Sequence, residues 1–114
     1  MSKREVKLLL EDMLDSLKKI RRYTNEISFD EFCSDDKTID AVIRNFEIIG
    51  EAANRIPEEI KIDNPEIPWR SLVGLRNRII HEYFGVDLEI IWDIIENDIE
   101  ICHDWIETLL EQEF

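Results

Sequence analysis

The 114-residue sequence predicts an all-α protein, an antiparallel four-helix bundle with a short extra helix or turn. Three observations lead there. Glycine and proline number only three each. Apolar residues recur at helical spacing over long runs. No internal repeat or low-complexity linker divides the chain, so residues 1–114 read as one domain, long enough for a real core.

The first helix is expected from about Lys3 to Thr24, with Val6, Leu9, Leu10, Met13, Leu14, Leu17 and Ile20 as its buried stripe. Lys18, Lys19, Arg21 and Arg22 cluster near its end, where cations suit the helix dipole; a contact to an RNA backbone is the other reading. Residues 25–36 read as a connector, with Ser34, Asp35 and Asp36 as N-cap candidates. The second helix runs from about Asp36 to Arg55 on a stripe of Ile39, Val42, Phe46, Ile49, Ala53 and Ile56. Gly50 in its middle costs roughly 1 kcal/mol against alanine, and the expected return is close approach of another helix. A second row, Arg44, Glu47, Glu51 and Arg55, is either a surface ladder of weak ion pairs or a source of carboxylate for a buried cation.

Pro57-Glu58-Glu59 starts a short turn or helix, and Asp63-Asn64-Pro65 breaks the chain again. Pro68 fits the first position of a third helix, expected to stop at Gly85. Asp87 is a good N-cap for a fourth, continuing to about Leu110. Leu88, Ile91, Trp92, Ile95, Ile99, Cys102, Ile106 and Leu109 make its main stripe. Ile90, Ile94, Ile101 and Trp105 widen it, so this helix is expected to be covered on more than one side. Opposite stand Glu89, Asp93, Glu96, Glu100, Asp104, Glu107 and Glu111, either a solvated face or a docking ridge for a basic partner. His103 sits among these acids without other catalytic groups and reads as structural.

The chain is organised around Arg76-Asn77-Arg78-Ile79-Ile80-His81-Glu82-Tyr83-Phe84 on the third helix. At about 100° per residue, Trp69, Leu72, Val73, Leu75, Ile79, Ile80 and Tyr83 form one apolar arc, and Arg76 falls in its middle. A guanidinium cannot shed its charge, so Arg76 must be paired or line a cleft or subunit seam. Glu47 or Glu51 is the expected partner. Asn77 and His81, four apart, can point together into the same space. A purely structural polar network is the bland alternative, and for Tyr83 it is a core aromatic with a satisfied hydroxyl.

The formal net charge of −13 speaks against a general nucleic-acid binder, because phosphate contacts dominate that affinity. Its distribution is uneven. Residues 1–22 hold seven Lys/Arg against four Asp/Glu, while residues 79–114 hold eleven acids and no Lys or Arg. Cys33 and Cys102 lack metal or redox spacing and read as free thiols of a reducing cytoplasm. No apolar run reaches membrane-span length and no signal-peptide core follows Met1, so a soluble cytoplasmic protein is expected.

Arg76, four residues, His81, one residue, Tyr83 resembles the Arg-x4-His-x-Tyr signature of the HEPN superfamily, most closely of HepT-type toxins. The resemblance takes in Ala41 to Ala53, Ile67 to Arg70 and Val86 to Trp92, and so covers residues 38–95. It implies an all-helical two-fold homodimer whose paired Arg76 and His81 form an endoribonuclease site, with Asn77 orienting substrate or His81. It also implies a type VII toxin–antitoxin system in which a minimal nucleotidyltransferase antitoxin, MntA-like, transfers AMP to Tyr83.

The chemistry of these side chains fits. RNA carries its own nucleophile, the 2′-hydroxyl, so a metal-independent ribonuclease needs a proton acceptor, a proton donor and a cation. Histidine suits proton transfer near neutral pH, and arginine offers a fork to phosphate oxygens. One chain supplies one such His81; two-fold pairing supplies two. No cluster has the look of a metal site, and no cofactor is expected. Two other readings stay open: a non-catalytic nucleotide- or partner-binding module of a nucleotidyltransferase complex, and a plain helical interaction protein.

Overall fold

The computed structural model describes residues 1–81 and 87–114, His81 through its backbone alone. Among the described residues there is no strand. Seven helices follow one another: α1 (Lys3–Thr24), α2 (Phe29–Cys33), α3 (Asp36–Arg55), α4 (Glu58–Asp63), α5 (Trp69–His81), α6 (Leu88–Asn97) and α7 (Ile99–Glu113). No helix here is long and apolar enough to cross a membrane.

Local chemistry starts and stops these helices. The Ser2 hydroxyl accepts from the Glu5 N–H at 3.1 Å and caps α1. At its other end the Thr24 hydroxyl donates back to the Ile20 carbonyl. Glu26 then turns the chain with a positive φ of 61°, a conformation that costs a non-glycine residue. The expected connector over 25–36 is corrected here, because it contains α2. Ser28 and Glu31 form a capping box, each side chain taking the other's backbone N–H at 3.1 Å. Of the three candidate caps for α3, Asp35 is the one used. It accepts from the Thr38 hydroxyl at 2.6 Å and from the Thr38 N–H at 3.1 Å. Those two bonds hold its carboxyl below the usual range.

The Leu72 N–H donates to the Pro68 carbonyl, which puts Pro68 just before α5 rather than at its first position. The Trp69 indole N–H donates to the Asn64 carbonyl at 2.9 Å and ties the start of α5 to the end of α4. The expected stop at Gly85 lies outside the described residues. Asp87 caps α6 as expected, accepting from the Glu89 N–H. The single long fourth helix is corrected to two. Asn97 donates from its side chain to both the carbonyl and the carboxylate of Asp93, and Asp98 follows at φ −114°, ψ −27°. A side chain that competes for backbone acceptors weakens a helix where it sits, and here α6 gives way to α7.

The long helices run antiparallel in sequence. Pro57, just past α3, lies with Met1, Lys3 and Val6, so α1 and α3 run in opposite directions. Gly50 on α3 meets Leu72 and Arg76 on α5, and Asn54 lies with Arg70 and Ser71, so α5 turns back along α3. Lys3 stands over the Phe114 ring at 5.8 Å, which brings the end of α7 to the start of α1. Leu10, Met13, Leu17 and Ile20 of α1 meet Val42, Phe46 and Ile49 of α3 in one core with Ile79, Ile91, Ile99 and Ile106. Each such side chain stabilises the fold by roughly 1.5–3 kcal/mol relative to exposure. α2 closes one edge, with Phe32 and Phe29 against the Trp92 ring at centroid distances of 5.2 and 6.0 Å.

Two expectations of burial fail. Ile80 remains 45% exposed. Ile90, Ile101 and Trp105 are likewise exposed, so α6 and α7 are not covered on their second side by the described residues. Periodicity reports that a row is apolar, not that a neighbour exists to cover it.

Candidate active site

Gly50 is the pivot on which α5 sits. A Cβ there would stand 2.1 Å from the Cβ of Arg76 and 2.8 Å from the Leu72 carbonyl oxygen. Only a residue without a side chain lets the two backbones come this close. The contact fixes Arg76 at its root, and the rest of the side chain reaches over α3 toward its polar edge.

There the guanidinium finds two acceptors. One terminal nitrogen, Nη2, meets the Glu51 carboxylate at 2.5 Å, and the other, Nη1, donates to the Asn77 Oδ1 at 2.9 Å. Nε is buried and has no partner among the described residues. The Arg76 side chain is 25% exposed and that of Glu51 54%. A pair this wet contributes little by itself. Removing Glu51 would still leave a largely covered cation without its carboxylate. Of the two expected partners, then, Glu51 holds Arg76. Glu47 does not: it pairs with Arg44 along its own helix at 3.4 Å. An i, i+3 spacing on one helix wins over a longer reach.

These residues line a cleft of about 380 Å³ between α1, α3 and α5. Leu9, Ile48, Ala52 and Ile80 form its apolar part, while Asp12, Arg44, Glu47, Glu51, Arg55 and Arg76 supply charge. Asn77 lies on the next flank of α5 and does not line this cleft; it borders a second one of about 750 Å³ that runs along α4 and the start of α5. Asn77 therefore joins Arg76 through its amide while its own surroundings face another opening. The helix carries His81 one turn beyond Asn77. The His81 side chain and Tyr83 lie outside the described residues.

Asp12 and Arg55 were not expected at this site. Arg55 was legible as the end of the charged row Arg44, Glu47, Glu51, Arg55. Asp12 carries no signal in the sequence, because only the packing of α1 on α3 brings it there. Lys18, Arg21 and Arg22 line a separate shallow cleft with Asn25. Lys19 pairs with Asp15 at 3.3 Å. His103 is buried, with Asp104 at 2.9 Å and Glu107 at 3.9 Å. No group of three or more His, Cys, Asp or Glu among the described residues is arranged to hold a metal ion.

A family model described as Ribonuclease HepT-like matches residues 13–109, a span that holds every residue of the cleft except Leu9 and Asp12. The chain is 46% identical over 99 residues to a “Putative RNase” of Methanocaldococcus jannaschii, covering 87% of this chain and 82% of that one. It is 46% identical over 97 residues to the “Probable ribonuclease HepT” of Thermococcus cleftensis, covering 85% and 88%. No solved structure matches the chain significantly. On this likeness, along nearly its whole length, the chain belongs to the HepT-like ribonuclease family, whose members are classed as RNA-cleaving enzymes.

Proposed function

We propose that the chain is a metal-independent endoribonuclease acting as a two-fold homodimer, with Arg76 and His81 of both copies in one composite groove. The observation that carries this reading is the placement of Arg76. It is a half-buried arginine seated on Gly50, with its terminal nitrogens turned to polar partners in a cleft, one turn before His81. Four helices, α1, α3, α5 and α7, form an antiparallel bundle in this reading, and a second copy meets the outer side of α5. Gly74 favours that seam, since no described residue lies within 4 Å of where its Cβ would stand, and Ile80 is exposed in the Arg76 cleft that the composite groove would extend.

In the reaction, one His81 takes the proton of the RNA 2′-hydroxyl as its oxygen attacks the adjacent phosphorus. The other donates a proton to the departing 5′-oxygen, leaving a cyclic phosphate and a new 5′-hydroxyl. Arg76 exchanges Glu51 and Asn77 for the phosphate oxygens and balances their growing charge. Asn77 orients the substrate or His81. His81→Ala is expected to lower cleavage by about 10²–10⁴-fold, the usual worth of general acid–base catalysis.

The same reading makes the chain the toxin of a type VII toxin–antitoxin pair, silenced when a minimal nucleotidyltransferase moves AMP onto the Tyr83 hydroxyl. An added AMP puts bulk and negative charge beside the groove. Intact-mass spectrometry of the protein expressed with and without its genomic neighbour tests this. A gain of whole AMP units that Tyr83→Phe abolishes supports it; an unchanged mass with the neighbour present removes the modification and leaves control by complex formation. A second reading, a non-catalytic partner-binding module, is favoured by the net charge of −13. Growth arrest that persists in His81→Ala, or no RNA cleavage by the wild type, would favour it.

A further inference from the structure

We infer that Arg55 is a second phosphate-binding residue of the Arg76 cleft, gripping the RNA backbone one turn of α3 away from the reacting phosphate. This rests on the ribonuclease reading above. The cleft walls carry three arginines and three carboxylates. Arg44 is engaged by Glu47, and Arg76 by Glu51 and Asn77. Arg55 is exposed and has no ion-pair partner among the described residues. It is therefore the cation of this cleft that meets an incoming phosphate without first giving up a carboxylate.

In a chain of net charge −13, RNA is repelled at long range, so a guanidinium of this cleft that is not tied to a carboxylate matters more than it would on a basic protein. Position agrees. Arg55 lies four positions after Glu51, a rise of about 6 Å along α3, which is comparable to the step between neighbouring phosphates of a single strand. The apolar lining of Leu9, Ile48, Ala52 and Ile80 suits sugar and base rather than another charge. Arg55 also ends α3, where a cation suits the helix dipole. That role acts on stability and not on RNA.

The experiment uses the full chain with two probes, a cleavable single-stranded RNA oligonucleotide and a 2′-deoxy version that binds without reacting. Arg55→Ala is expected to raise KM, and the Kd of the 2′-deoxy strand, roughly tenfold with kcat unchanged. The salt dependence of binding should lose about 0.7 of its log–log slope, the share of one contact to a single strand. Arg55→Lys keeps the charge at the helix end and should restore stability fully but binding only in part. Lys37→Ala, at the far end of α3, removes the same charge and should leave KM where it was. If Arg55→Ala leaves KM, Kd and salt slope at wild-type values, or matches Lys37→Ala, the inference is wrong while the ribonuclease reading stands. A fall in kcat with KM unchanged also overturns it. Should the wild type cleave nothing, the ribonuclease reading fails. Binding of the 2′-deoxy strand then judges Arg55 alone: weaker binding by the variant supports it, and equal or absent binding overturns it.

Discussion

Two glycines sit in mid-helix on facing elements, and they do opposite things. Gly50 on α3 is pressed so closely by Arg76 and Leu72 that a methyl group there has no room. Gly74 on α5 has open space around it. By helix propensity alone each costs roughly 1 kcal/mol against alanine. The inner glycine sets how close two helices come and where Arg76 starts. The other meets no described residue where its Cβ would stand, whereas Ile80, about 120° round the same helix, is exposed in the Arg76 cleft. One face of α5 is thus closed against α3 at Gly50, and the face that bears Gly74 is open among the described residues.

That contrast can be broken most forcefully at two adjacent isoleucines. Ile79 is 2% exposed and Ile80 45%. Ile79→Ala should cost about 2–5 kcal/mol in chemical denaturation. Ile80→Ala should stay within about 0.5 kcal/mol in the single chain. Equal losses would mean that the two sides of α5 are equally covered.

Gly50→Ala comes next. It should destabilise the chain by about 1–3 kcal/mol, because overpacking outweighs the gain in helix propensity. Cleavage should fall with it, since the root of Arg76 must shift. Gly74→Ala sharpens the comparison from the other side. It should raise stability by about 0.5–1 kcal/mol at low protein concentration. A loss that grows with protein concentration would instead show another chain filling the space over Gly74.

The smallest effect distinguishes the two cysteines. Cys33 is exposed and should react with a thiol reagent at once; Cys102 is buried and should react only on unfolding. Burial, with the nearby Asp98 carboxylate adding to it, pushes the Cys102 thiol up to about 12 from an ordinary 9.0. The unfolded chain therefore loses this proton first as pH rises. Its contribution to stability should be intact below the unfolded value and drain away between roughly pH 9 and 12. Denaturant midpoints that stay flat across that window would contradict the burial of Cys102.

Much of the fold was legible because its signals are local. Ser2, Asp35 and Asp87 cap helices through bonds to residues two or three positions on, and the bounds of α1 and α3 follow from the chain beside them. The capping box of Ser28 and Glu31 was equally local, and α2 could have been read from it. At the site, the oddity of Arg76 on an apolar arc showed that a partner had to exist, because an unpaired guanidinium is too costly to cover. Which carboxylate would serve was a matter of packing: Gly50 decides the register of α5 on α3, and that register gives Glu51 to Arg76 and leaves Glu47 to Arg44. Asp12 entered the cleft the same way, across the α1–α3 contact. The exposure of Ile80, Ile101 and Trp105 was equally out of reach, since a repeat of apolar residues describes one helix and coverage needs two. Local bonding rules act over a few residues and are written in order along the chain. Pairing and coverage depend on which distant residues meet, and only the packed helices decide that.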